Sequence, residues 1–126
     1  GKESRDFVYI DDVVAATVMA IDMEKANNEV YNVGNGVATT VLEVAETLMT
    51  NYGMQVPLSI TGNYRIGDIR HNFADLTKIR TDLGFQPAIP FAEGIRRFCD
   101  WVSSQQLQQS NYEKSLSEMK QKGLFK

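Results

Sequence analysis

The sequence predicts an α/β fold: a small, mostly parallel sheet with helices packed on it. Two observations carry that expectation. Short runs of β-branched and aromatic residues alternate with longer segments of helical period, and the first run is apolar at consecutive positions, as in a strand covered on both faces. The 126 residues, 43% apolar and 23% charged, suffice for one domain with one modest core.

The elements follow in order. "DFVYI" (6–10) is the first predicted strand. "DDVVAATVMAIDM" sets Val13, Val14, Thr17, Val18 and Ile21 on one helical face, behind Asp11 or Asp12 as a cap for the first N–H groups. "EVYNV" (29–33) reads as a second strand, and "GNGVA" as the turn leaving it. Thr40 and Glu43 then make a T-x-x-E capping box for a helix carrying Val41, Val44, Ala45, Leu48 and Met49, with Gly53 as its stop. "PLSI" (57–60) is a third short strand. A helix opened by Asp75 runs through Leu76, Ile79 and Leu83 to Gly84, and "FAEGIRRFCDWV" (91–102) provides another, with Phe91, Ile95, Phe98 and Trp101 inward. This β-α-β-α-β-α-α order occupies residues 1–102. From 103 to 126 the composition turns to glutamine, serine and charge, giving a polar linker and a terminal helix with Tyr112, Leu116 and Met119 at i, i+4, i+7 before Gly123. So thin an apolar stripe does not hold a helix by itself, and the helix is expected to lie on the body or on a partner.

Composition removes several functional classes. Thirteen basic against sixteen acidic side chains leave a net charge of −3, so no global field draws the chain to nucleic acid or anionic lipid, and any anion site must be local. A single cysteine, Cys99, forbids an internal disulfide, and with one histidine there is no Cys/His set for structural zinc, so no metal site is expected. No apolar run approaches the roughly 20 residues of a membrane span, and "GKESRDF" has no signal-peptide core. A cytoplasmic protein is expected.

The chemistry concentrates in "YRIGDIRH" (64–71), where two arginines, an aspartate and the sole histidine surround Gly67. Such a cluster can hold an anion, take part in catalysis or lie in solvent; arginines offer an anion planar, permanently charged donors, and Gly67 lets the backbone turn between Arg65 and Asp68. The competing reading pairs Arg5 with Asp6 and leaves Arg65 and Arg70 in solvent. His71 has Asp68 and Asp75 nearby in sequence but no positioned nucleophile, so no catalytic residue is expected here. "GNGVAT" carries two of the three glycines of G-x-G-x-x-G and reads as a plain turn.

"SRDFVYIDDVV", "EVYNVGNG", the T-x-x-E-V-A segment, "YRIGDIRHNFADLTKIRTDLGFQP" and "MKQKGLF" together resemble the C-terminal part of the extended short-chain dehydrogenase/reductase family. The closest look is to NAD-dependent nucleotide-sugar epimerases and dehydratases of the UDP-glucose 4-epimerase kind. The resemblance covers nearly the whole chain, in the family's order and spacing. It implies the C-terminal substrate-binding portion of an extended Rossmann-type enzyme with isomerase chemistry. It also implies that the arginines of R-D-[FY] and R-x-G-D bind the diphosphate and that the aspartate of the second motif binds ribose hydroxyls: here Arg5, Arg65 and Asp68. Phe7 falls where a ring near the nucleotide is usual, and Asn72 stands where some members carry a nucleotide-contacting tyrosine.

The family's glycine-rich cofactor loop is missing, and none of Tyr9, Tyr31, Tyr52, Tyr64 or Tyr112 has the lysine of Y-x-x-x-K four residues on. The expectation is therefore a fragment that binds a nucleoside diphosphate sugar, binds no NAD, and is inactive alone, NAD belonging to the full-length family. The alternative is a non-enzymatic binding or assembly module. A first strand made for two-sided burial leaves uncovered edges, so a homo-oligomer, most simply a homodimer, is expected through the sheet edge.

Overall fold

Helices form where the sequence offers both an apolar face and a usable end. The computed structural model describes residues 1–106 and 110–125. Helix α1 spans Ile10–Asp22 and is followed by a 3-10 turn, Glu24–Ala26. Helix α2, Val41–Tyr52, is closed at both ends as the spacing predicts. The Thr40 hydroxyl accepts from the Glu43 N–H at 3.2 Å, the Glu43 carboxylate accepts from the Thr40 N–H at 2.6 Å, and Gly53 takes the left-handed conformation (φ 62°) that ends the helix. Helix α3, Thr77–Leu83, begins two residues after Asp75, whose carboxylate accepts from the Thr77 N–H at 2.9 Å, and stops at Gly84 with φ 71°. Helices α4, Phe91–Ser103, and α5, Tyr112–Gln121, complete the described residues.

The expected mostly parallel sheet is not formed among these residues. The sheet has two strands of two residues, β1 (Ser4–Arg5) and β2 (Thr39–Thr40), paired antiparallel with Ser4 opposite Thr40 and Arg5 opposite Thr39. The runs at 6–10, 29–33 and 57–60 lie outside any ladder, and α1 takes over from Ile10 onward. An apolar β-prone run reports a demand for cover. It becomes a strand only if a neighbouring backbone supplies hydrogen-bond partners, and none does here.

The core joins Ala16 of α1 to Leu76, Ile79, Leu83 and Phe85, with Met19, Ala20, Tyr31 and Val33 packed around it. Ile79 and Phe85 are both 2% exposed. Burial of side chains of that size stabilises by about 1.5–3 kcal/mol each. Helix α1 is rotated from the expected orientation. Asp12 and Ala16 face inward, while Ile10, Val14, Val18 and Ile21 are exposed, Ile21 at 77%. The Asp12 carboxylate does not cap the helix but accepts from the N–H groups of Ala88 and Ile89 at 2.8 and 3.0 Å, and this clamp together with the small Ala16 decides which face turns in. Helix α4 is likewise rotated: it lies against α2 with Cys99 buried, while Phe98 and Trp101 are exposed and stack on each other at 5.9 Å between ring centroids. Between the segment 7–9 that follows β1 and the faces of α2 and α4 lies an open apolar cavity of about 410 Å³, lined by Phe7, Tyr9, Val44, Leu48, Phe91 and Ile95 among others. No helix of the described residues is long and apolar enough to cross a membrane.

Candidate functional site

The 64–71 segment is built around one tight turn. The Asp68 N–H donates to the Arg65 carbonyl at 3.1 Å, and Gly67, third of the four residues, has φ 91°. This is the geometry of a type II turn, which requires a positive φ at that position and hence favours glycine. No other atom lies within 4 Å of where a Gly67 Cβ would stand, so the requirement is one of backbone conformation alone.

The C-terminal end of this segment is stitched to β1 across 66 residues of sequence. The Ser4 N–H donates to the Arg70 carbonyl at 3.0 Å, the Asn72 N–H donates to the Ser4 carbonyl at 3.1 Å, and the Ser4 hydroxyl lies 2.9 Å from His71 Nδ1. Arg5 donates from one guanidinium nitrogen to the carbonyls of Ser4 and Arg70, at 2.8 and 3.1 Å. Arg5 and the arginine-aspartate turn thus belong to one local structure, and among the described residues only Nη1 of the Arg5 guanidinium is hydrogen-bonded.

Nε and Nη2 of Arg65 both lie 3.0 Å from the same Asp68 oxygen, forming an exposed clasp. The competing pairing of Arg5 with Asp6 is not formed. The Asp6 carboxylate accepts from the backbone N–H groups of Asn35, Gly36 and Ala74 at 2.7, 2.9 and 3.0 Å, tying β1 to the turn after residue 33 and to the segment ahead of α3. The "GNG" turn therefore does hold an anion, but the anion is a side chain of the same protein. Phe7 packs on Phe91 at 5.6 Å between ring centroids and lines the apolar cavity, which no residue of 64–71 lines.

The charge pattern elsewhere is structural. Glu93 is held down to about 2 by hydrogen bonds from Arg96 and Arg97, and Arg97 also lies over the Tyr9 ring at 5.5 Å. Among the described residues no three His, Cys, Asp or Glu side chains converge on a metal-sized space. In the paired-glycine turn after residue 33, the N–H groups of Asn35 and Gly36 are spent on Asp6.

Sequence reasoning missed Ser4, Asp6 and Asp12 as organising residues. Their partners are 29 to 77 positions away, and no local spacing signals such a contact.

The profile of the GDP-mannose 4,6 dehydratase family matches residues 1–98. A dTDP-L-rhamnose 4-epimerase of Burkholderia thailandensis is 34% identical over 111 residues, which cover 88% of this chain and 30% of the relative. The crystal structure of a UDP-glucose 4-epimerase from Thermotoga maritima, solved with UDP-glucose, matches 82% of this chain and 32% of its own length at 36% identity and a TM-score of 0.73. The structure of MoeE5 in complex with UDP-glucuronic acid and NAD matches 82% of this chain and 34% of its own at 31% identity and a TM-score of 0.75. The chain spans about a third of the length of the curated relatives it matches.

Proposed function

Since the chain belongs to the GDP-mannose 4,6 dehydratase family of nucleotide-sugar epimerases and dehydratases, we propose that it provides the grip on a nucleoside diphosphate sugar. Arg5 and Arg65 hold the diphosphate, Asp68 accepts from ribose hydroxyls, and Phe7 lies beside the nucleotide. One observation carries the reading: Arg5 is hydrogen-bonded to the backbone of the same loop that presents Arg65 and Asp68. The two arginines are separated by 60 positions, and β1 brings them into one structure.

Binding begins with opening the Arg65–Asp68 clasp. An exposed ion pair is worth on the order of 0–1 kcal/mol, whereas a shielded hydrogen bond between an arginine and phosphate is worth about 1.5–3 kcal/mol, so the exchange favours the ligand. The freed Asp68 then has its acceptors available to hydroxyls. Such contacts, remote from a reacting sugar carbon, hold the sugar in place and lend binding energy to the reaction. In the full-length family, bound NAD would supply the hydride chemistry. Here the reacting groups and NAD itself belong to residues beyond the third of the relatives that this chain matches, and the apolar runs at 6–10 and 29–33 pair with the sheet of that remainder. The 126-residue chain alone is expected neither to bind NAD nor to turn over sugar, and stoichiometric NAD binding in calorimetry would overturn this.

The test is an NMR titration with UDP. Affinity is expected on the order of 1 mM, about −4 kcal/mol, because only part of the site is present. Arg5→Ala and Arg65→Ala abolish detectable binding, Asp68→Ala weakens it, and Arg70→Ala changes little. Equal loss in Arg70→Ala, or shifts confined to other segments, sinks the assignment.

A second reading, an assembly module, is favoured by one observation: the exposed apolar stripe Ile10, Val14, Val18 and Ile21 on α1. Apolar stripes of this kind mark surfaces that are covered in use. A two-residue strand offers too short an edge for the expected sheet pairing, so α1 is the face through which the isolated chain forms a homodimer. Light scattering that reads 14.2 kDa at high concentration counts against it.

A further inference from the structure

We propose that the C-terminal turn, Gly123 to Phe125, is a positioning strap for the Arg65–Asp68 turn and sets how tightly that turn grips a nucleoside diphosphate; this rests on the nucleotide-binding reading above. Residues 64–71 are all exposed, so little apolar packing holds them. Their conformation depends on backbone anchors. One is β1, at residues 70–72. The other lies at the opposite end: the Ile66 N–H donates to the Leu124 carbonyl at 3.0 Å, and Arg65 bridges Phe125 in antiparallel register. The Arg65–Asp68 turn is suspended between the two.

The strap is itself well specified. At the end of α5 the Gly123 N–H donates to the Lys120 carbonyl at 3.0 Å, the Leu124 N–H donates to the Met119 carbonyl at 2.9 Å, and Gly123 has φ 66°. Together these make a Schellman motif, which reverses the chain direction at the helix end. The reversal brings the Leu124 carbonyl to Ile66, and the Lys120 ammonium lies over the Phe125 ring at 5.8 Å. A Cβ on Gly123 would meet nothing within 4 Å, so substitutions there act through backbone conformation alone. Holding Arg65 in place before the ligand arrives removes part of the ordering cost of binding.

The experiment compares the full chain with Gly123→Asn, Gly123→Val and a chain lacking residues 124–126. Two readouts are taken: hydrogen exchange of the Ile66 amide without ligand, and UDP affinity by NMR. Deletion and Gly123→Val should remove Ile66 protection, shift the resonances of 65–68 and weaken UDP binding about fivefold to tenfold. Gly123→Asn, which tolerates the left-handed conformation, should stay close to the parent. Amides of Ile79 and Leu83 report that the core remains folded. Unchanged Ile66 exchange in the deleted chain overturns the strap. So does unchanged UDP affinity when the parent binds through Arg65. A parent chain that does not bind UDP refutes the nucleotide reading instead, and Ile66 exchange then decides the strap separately.

Discussion

Replacing Asp6 by alanine should destabilise this chain more than replacing either arginine of the proposed site. Its carboxylate receives three backbone N–H groups, from Asn35, Gly36 and Ala74, at 2.7 to 3.0 Å. A hydrogen bond to a charged acceptor contributes about 1.5–3 kcal/mol, so simple addition gives roughly 4.5–9 kcal/mol. That sum is too large. The three bonds share one acceptor group, are only partly buried, and leave N–H groups that water reaches after truncation, so we expect a loss of about 2–4 kcal/mol. Gly34 supplies a companion test: a Cβ there would collide with the Asp6 carboxylate and stand 2.7 Å from the Ala74 side chain, so Gly34→Ala should be destabilising in the parent and only partly relieved in the Asp6→Ala background, where the Ala74 contact remains. Urea unfolding followed by circular dichroism gives the free energies, with Asp22→Asn, on the exposed end of α1, as the control. A cost below about 0.5 kcal/mol for Asp6→Ala would place it with ordinary surface substitutions and refute the reasoning.

Two further outcomes follow from local geometry. Thr40→Ala removes the capping-box acceptor at the start of α2 and should cost about 1 kcal/mol in the same urea assay, while Thr40→Ser should cost little. Glu93 is held down to about 2 from an ordinary 4.5 by hydrogen bonds from Arg96 and then Arg97. A carboxylate with a depressed folded-state pKa stabilises fully above its unfolded value and loses that contribution as pH falls toward the folded one, so the window runs from about 4.5 down to about 2. Glu93→Gln should therefore reduce the acid sensitivity of stability in that window, by a modest share because Arg96 is half exposed; an identical pH profile would contradict the ion-pair geometry.

The sequence by itself determined where the helices lie and several of their ends, though not the start of α1. The Thr40–Glu43 box, the stops at Gly53 and Gly84, the helix from Phe91 and the terminal helix before Gly123 were all legible, because caps and the 3.6-residue period act within a few positions. The motif pattern also disclosed the family, since R-D-F and R-x-G-D are short strings. Tertiary structure decided the rest. Helix α1 offers apolar residues on two sides, and only the pull of Ala88 and Ile89 on Asp12, 76 and 77 positions away, turned Ala16 inward and left Val14 and Val18 outside. The runs at 6–10 and 29–33 have strand composition, but pairing needs a neighbour that composition cannot supply. The same holds at the site. Arg65 and Asp68 are three residues apart and could bond each other or two parts of a ligand, and their clasp is set by the turn at Gly67. Arg5 reaches that loop only because Ser4 pairs with its backbone. Local preferences are written in neighbouring residues; contacts that close long loops depend on which distant backbone groups arrive unpaired, and only the folded chain settles that.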